Sequence, residues 1–113
     1  MCNDINIIRQ DQFIVVKFIG DVDSSNVKIY RKRISDVIEK SKEDVVFDFS
    51  KSSLIDSSGI GLILGRYNQL KFEHRTLMIV GLNPVAYRLF ELTGLFQIIP
   101  YFHSIKSIKE GVL

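Results

Sequence analysis

Val45-Val46-Phe47-Asp48-Phe49-Ser50, followed after three residues by Leu54-Ile55-Asp56-Ser57-Ser58-Gly59-Ile60-Gly61-Leu62-Ile63-Leu64-Gly65-Arg66-Tyr67, decides the reading of this chain. The first run is apolar and rich in β-branched and aromatic residues, as a buried strand is. Asp56, Ser57 and Ser58 are residue types preferred where a helix begins, and the apolar spacing that follows is helical. The first N–H groups of a helix lack intrahelical partners and sit at the positive end of its dipole. Two serine hydroxyls at that end occupy a natural place for a negative charge, so a phosphate switch is expected at this corner.

Working outward, Ile5 to Ile8 and Phe13 to Ile19 read as strands joined as a hairpin through Gln10 to Gln12, the second closed by Gly20 and Asp21. From about Ser25 to Lys40, Tyr30, Ile34, Val37 and Ile38 recur at helical spacing among charged residues, predicting an amphipathic helix. In the helix after the corner, Ile60, Ile63, Leu64, Tyr67 and Leu70 form the expected buried stripe. Thr76 to Val80 reads as a further strand ending at Gly81. Asn83-Pro84 opens a short helix, with Val85, Leu89 and Leu92 as its expected buried side and Gly94 as its stop. Ile98-Ile99 begins a weak fifth strand, and Ser104 to Glu110 a last short helix.

Strands alternating with helices imply parallel pairing through crossovers, so the fold class is α/β: residues 1–113 as one domain, with a mixed, mostly parallel sheet of about five strands and about four helices. Ligand sites in such sheets gather beyond the carboxyl ends of the parallel strands. The Gly20 to Ser25 turn and the Asp56 to Gly59 corner are therefore expected to share one surface.

Composition narrows the function. With 15 basic and 13 acidic residues the net charge is +2, and the one basic cluster, Arg31-Lys32-Arg33, is short, which argues against a nucleic-acid partner. Cys2 is the only cysteine and stands near an expectedly loose terminus, which leaves no disulfide framework and fits a reducing cytosol. No apolar run has the length of a membrane span, so no membrane partner is expected.

Capping alone would account for one of Asp56, Ser57 and Ser58. The glycines ask for more, since each costs ~1 kcal/mol relative to alanine inside a helix, and Gly61 and Gly65 lie four residues apart on nearly one face. Leu62 is placed opposite the buried stripe, in the sector of Gly65, Arg66 and Gln69, so an apolar side chain beside bare backbone is expected on the outer face. Enzymatic readings fare worse. The corner lacks the first glycine of a G-x-S-x-G elbow, Gly59-x-Gly61 with Gly65 misses a dinucleotide fingerprint by one position, and no G-K-[ST] follows. His74 and His103 lack metal-ligand spacing and are expected at the surface near element ends. No catalytic residue, metal or cofactor is assigned.

Asp56-Ser57-Ser58-Gly59-Ile60-Gly61-Leu62-Ile63-Leu64-Gly65-Arg66-Tyr67 resembles the signature of STAS-domain anti-sigma-factor antagonists, most of all their sporulation group, the stage II antagonists acting on anti-sigma F factors. The resemblance extends to Gly20-Asp21-Val22-Asp23, to Val46-Phe47-Asp48-Phe49-Ser50 and to Leu89-Phe90-Glu91-Leu92-Thr93-Gly94-Leu95-Phe96, covering essentially the whole chain. Two departures stand out: Ser24 and Ser25 replace the histidines usual in that group, and Phe72-Glu73-His74 replaces a glycine-containing turn.

The resemblance implies that Ser57 is phosphorylated by an anti-sigma factor that is itself a serine kinase. It implies that the unmodified form binds that factor and frees the sigma factor, and that a serine phosphatase restores binding. Asp23, Asp56, Ser58, Gly61, Leu62, Gly65 and Arg66 would form the contact surface of a cytoplasmic protein, not an enzyme, expected to be a monomer when free. The alternatives are a STAS antagonist in a general-stress or transport-associated circuit and, from another class, a small nucleotide-binding protein.

Overall fold

The computed structural model describes residues 3–111; Cys2 lies outside them. Strand β1 (Asp4–Gln10) turns into β2 (Phe13–Ile19) through Asp11 and Gln12, both at positive φ (53° and 73°). This is the left-handed two-residue turn that matches the twist of a hairpin, made here without glycine. There follow α1 (Val27–Glu39), β3 (Asp44–Lys51), α2 (Ser57–Phe72), β4 (Leu77–Val80), α3 (Pro84–Leu92), β5 (Tyr101–Phe102) and α4 (Ile105–Glu110). The five strands lie in chain order, β1 antiparallel to β2 and every later pair parallel, so the α/β class and mixed sheet are as expected.

Alternation along the strands sorts the core into two layers. Ile14, Val16 and Phe18 of β2, Val45, Phe47 and Phe49 of β3, and Leu77 and Ile79 of β4 face α1, α2 and α3. Phe18 stacks on Phe49 at 4.6 Å between ring centres and meets Phe47 edge-on at 5.2 Å. Val15, Val46, Met78 and Val80 point to the other face, which Ile105 and Ile108 of α4 cover. Both faces of β3 are thus buried, which is why Val45, Val46, Phe47 and Phe49 are all apolar, with Asp48 at 9% exposure accepting the Ser50 N–H between them.

Three expectations need correction. The fifth strand is Tyr101–Phe102, not Ile98–Ile99. Gly94, at φ 77°, ends α3 and feeds a single 3₁₀ turn, Leu95–Gln97, and the Leu95 carbonyl then accepts the N–H of both Ile98 and Ile99, holding them coiled. In α3 the residues facing the sheet are Ala86 and Phe90, and the stripe Val85, Leu89 and Leu92 is exposed, Val85 by 80%. Phe90 fills the space against Phe49 and Phe96, both at about 6 Å ring separation (6.3 and 6.2 Å), and the small Ala86 lets the helix approach. Leu62, assigned to the outer face of α2, is 3% exposed and belongs to the core. Helix α2 is buried against both the sheet and α1, so its buried arc centres on Gly59, Ile63 and Leu70 and extends to Leu62, while Ile60, Leu64 and Tyr67 are only half-buried.

One charged side chain ties the layers together. Arg75, 7% exposed, donates to the Ile38 carbonyl at the end of α1, to the Glu43 carbonyl before β3 at 2.9 and 2.6 Å, to Ser41 Oγ and to Glu73 Oε1. Arg75→Ala takes both guanidinium donors from the Glu43 carbonyl and leaves the Ile38 carbonyl only its weaker contacts from Ser41, and is expected to cost about 3 kcal/mol in urea unfolding. A loss under about 1 kcal/mol would show that water replaces the guanidinium there.

Candidate functional site

The corner is built by two loops zipped together at the carboxyl ends of β2 and β3. Gly20 N–H donates to Lys51 O at 2.9 Å, Val22 N–H to Leu54 O at 2.8 Å, and Asp56 N–H to Val22 O at 3.2 Å, with Val22 and Ile55 forming a parallel bridge. Val22 and Ile55 are buried, so two apolar residues inside polar loops fasten the Asp21 to Ser25 turn to the start of α2. The two polar clusters share one surface, as the strand order implies.

Asp56 is the N-cap of α2, and its Oδ1 accepts from the N–H of Ser58 at 2.8 Å and of Gly59 at 3.3 Å. Part of the anion-binding capacity of this helix end is therefore already taken by a carboxylate. Ser57, the first helical residue, is exposed, and Ser58 is half-buried. Gly59 is buried: a Cβ there would lie 2.7 Å from Ile55 Cγ2 and 3.2 Å from Val22 Cγ1. Beyond it the helix opens. A Cβ on Gly61 or Gly65 would meet nothing within 4 Å, so neither glycine serves internal packing.

Across the seam, Asp23 Oδ1 accepts from the Ser25 N–H at 2.9 Å and its hydroxyl at 2.5 Å, while Asn26 Oδ1 accepts from the Asp23 N–H at 3.1 Å. Ser25, one of the two residues departing from the sporulation pattern, thus holds the Asp23 carboxylate in place. Arg66 sits elsewhere than expected. It is half-buried toward α1, with Nε and Nη1 buried and without partners among the described residues. Burial, with the charge of Arg31 beside it, pushes its pKa down from the ordinary guanidinium value.

The structure therefore brings Asp23, Asp56, Ser57 and Ser58 to one end of α2, continues that surface along Gly61 and Gly65, and removes Leu62 from it. His74 and His103 are exposed at element ends. Sequence reasoning passed over the wedge of Val22 and Ile55, whose signal was their apolar character in otherwise polar loops. Asn83, read as the start of α3, caps it through Ala86 N–H at 2.8 Å and also donates to Ser53 O at 3.1 Å, a second contact the sequence did not show, which holds the loop that leads into the corner. Among the described residues no three His, Cys, Asp or Glu side chains gather as a metal site requires, and no helix is long and apolar enough to cross a membrane.

Comparison with known proteins matches residues 4–108 to the STAS domain. An anti-sigma F factor antagonist of Paenibacillus polymyxa is 28% identical over 99 residues, spanning 86% of this chain and 85% of that protein. An anti-sigma-B factor antagonist of Staphylococcus aureus is 30% identical over 92 residues, spanning 81% and 85%. The solved structure of the Bacillus cell fate determinant SpoIIAA in its phosphorylated form superposes with a TM-score of 0.73, over 97% of this chain and 99% of that one, at 22% identity, a likeness of fold.

Proposed function

The chain belongs to the STAS domain family, and from that premise we propose that it is an anti-sigma-factor antagonist whose unmodified form binds an anti-sigma factor through the outer face of α2. In this reading the anti-sigma factor is a serine kinase that phosphorylates Ser57, phosphorylation ends binding, and a serine phosphatase restores it. The observation that carries the reading is the pairing of an exposed serine at the first position of α2 with a face left open at Gly61 and Gly65. Glycines cost helix stability, and here nothing inside the molecule uses the space they leave. A partner surface that closes over bare backbone does.

The contact surface comprises Asp23, Asp56, Ser58, Gly61 and Gly65 around Ser57. Arg66 borders it from the α1 seam, nine residues and about 13.5 Å of helix rise from Ser57. That is too far to neutralise a phosphate there.

Incubation with the anti-sigma factor of the same organism and ATP, followed by intact mass and peptide mapping, tests the assignment. One phosphate on Ser57 is expected, and Ser57→Ala should bind the kinase undiminished and stay unmodified. Phosphate appearing on Ser58, or on the Ser57→Ala protein, would contradict it. The likeness to an anti-sigma-B factor antagonist favours a second circuit on the same site, a general-stress sigma factor in place of a sporulation one. Competition between the two kinds of anti-sigma factor for the protein separates them.

A further inference from the structure

On the β4–β5 side of the sheet a cleft of about 870 Å³ opens between the start of α3 and the β5–α4 connection. Three aromatic rings wall it in a close triangle. Tyr87 and Phe96 are 4.9 Å apart between ring centres at 42°, Tyr87 and Tyr101 5.2 Å at 74°, and Phe96 and Tyr101 5.3 Å at 44°. The rings brace one another in tilted and edge-to-face contacts, which makes the wall rigid. Tyr101 is fixed, since its hydroxyl accepts the Leu82 N–H at 3.1 Å. Tyr87 remains 39% exposed, an aromatic surface the core leaves in water.

The one charged group lining the cleft is a cation. Arg88 and His103 line it, and no carboxylate does among the described residues. Glu91 engages one guanidinium nitrogen of Arg88, Nη1, at 2.7 Å from outside the lining, which anchors the side chain and leaves its other N–H groups available. Aromatic walls with a few polar groups are the general form of a small-molecule site, and a guanidinium beside rings, with an imidazole able to hydrogen-bond, suits a flat ligand bearing a carboxylate, sulfonate or phosphate.

We propose that this cleft binds a small planar aromatic anion, its ring packed against Tyr87 and the Phe96–Tyr101 wall and its charge held by Arg88 and His103. The site is independent of the Ser57 switch and stands or falls separately from it.

Amide chemical-shift titration of the intact protein with 2-naphthoate, and with neutral 2-naphthylmethanol as its counterpart, tests the proposal. Saturable shifts centred on Leu82, Tyr87, Tyr101 and His103 are expected. Tyr87→Ala and, separately, Arg88→Ala should each weaken naphthoate binding about tenfold, the scale of one lost stacking partner or one lost charge contact. The alcohol should bind about tenfold more weakly than the acid. Arg88 is exposed, so its variant keeps the test sound even where Tyr87→Ala perturbs the fold. Equal affinity for acid and alcohol, shifts centred on the exposed Val85, Leu89 and Leu92 face, or no saturation at millimolar concentrations would overturn it.

Discussion

Valine at position 59 is expected to lower the melting temperature by roughly 10–15 °C, whereas valine at position 61 should leave it within a few degrees and weaken the anti-sigma complex at least tenfold. The same substitution, two residues apart, meets opposite surroundings. At Gly59 the first added carbon already lies 2.7 Å from the stiff, β-branched Ile55 and 3.2 Å from Val22. Overpacking of this kind costs about 3 kcal/mol, and a domain of 113 residues shifts by about 4 °C for each kcal/mol. The damage also reaches the corner, because Ile55 and Val22 fasten the two loops. At Gly61 the added side chain enters open space, and valine is slightly better than glycine in a helix, so folding is not harmed. Binding is harmed, because a partner seated on bare backbone must move away by the width of a side chain. Thermal melts of both variants beside affinity measurements check the contrast. Unchanged affinity for Gly61→Val would show that the partner does not use this face.

Phosphorylation of Ser57 is expected to cost the complex at least a hundredfold in affinity with little change in stability. The phosphate brings about −1.5 to −2 charges next to Asp56 and across the zipped loops from Asp23. A helix N-terminus ordinarily welcomes an anion, but Asp56 Oδ1 already takes the N–H groups of Ser58 and Gly59. The new charge is left facing outward, without an amide nest and with Arg66 out of reach. Water solvates it in the free protein, so the fold survives. A partner closing over α2 would strip that water from an unpaired dianion at a cost of several kcal/mol, and about 2.8 kcal/mol already makes a hundredfold.

The strand–helix alternation, the hairpin and the buried stripe of Tyr30, Ile34 and Ile38 in α1 were legible because each element obeys one period and has one buried face. Helix α2 was legible in position but not in rotation. With Ile60, Leu62, Ile63, Leu64 and Leu70 spread widely around it, its apolar pattern alone does not separate the side facing the sheet and α1 from the side facing out. In α3 the three aliphatic residues outvoted Phe90, yet one large ring fitting the space beside Phe49 outweighed them. At Ile98-Ile99, β-branched character was overridden by the left-handed Gly94 and the turn it starts. The partners of Arg75 and Asn83 are backbone carbonyls about thirty residues away in the chain, and a carbonyl has no signature in sequence. The helix start at the corner was readable because Asp, Ser and Gly act there locally. That the glycines at 61 and 65 face open space could be seen only in three dimensions.

The most direct measurement is calorimetric titration of the anti-sigma factor into the protein in its unmodified and Ser57-phosphorylated forms, with melting temperatures of both. Tight binding of the unmodified form alone, at nearly equal melting temperatures, is the predicted result. Equal affinity of the two forms, or loss of binding only through unfolding of the phosphorylated one, would contradict the account.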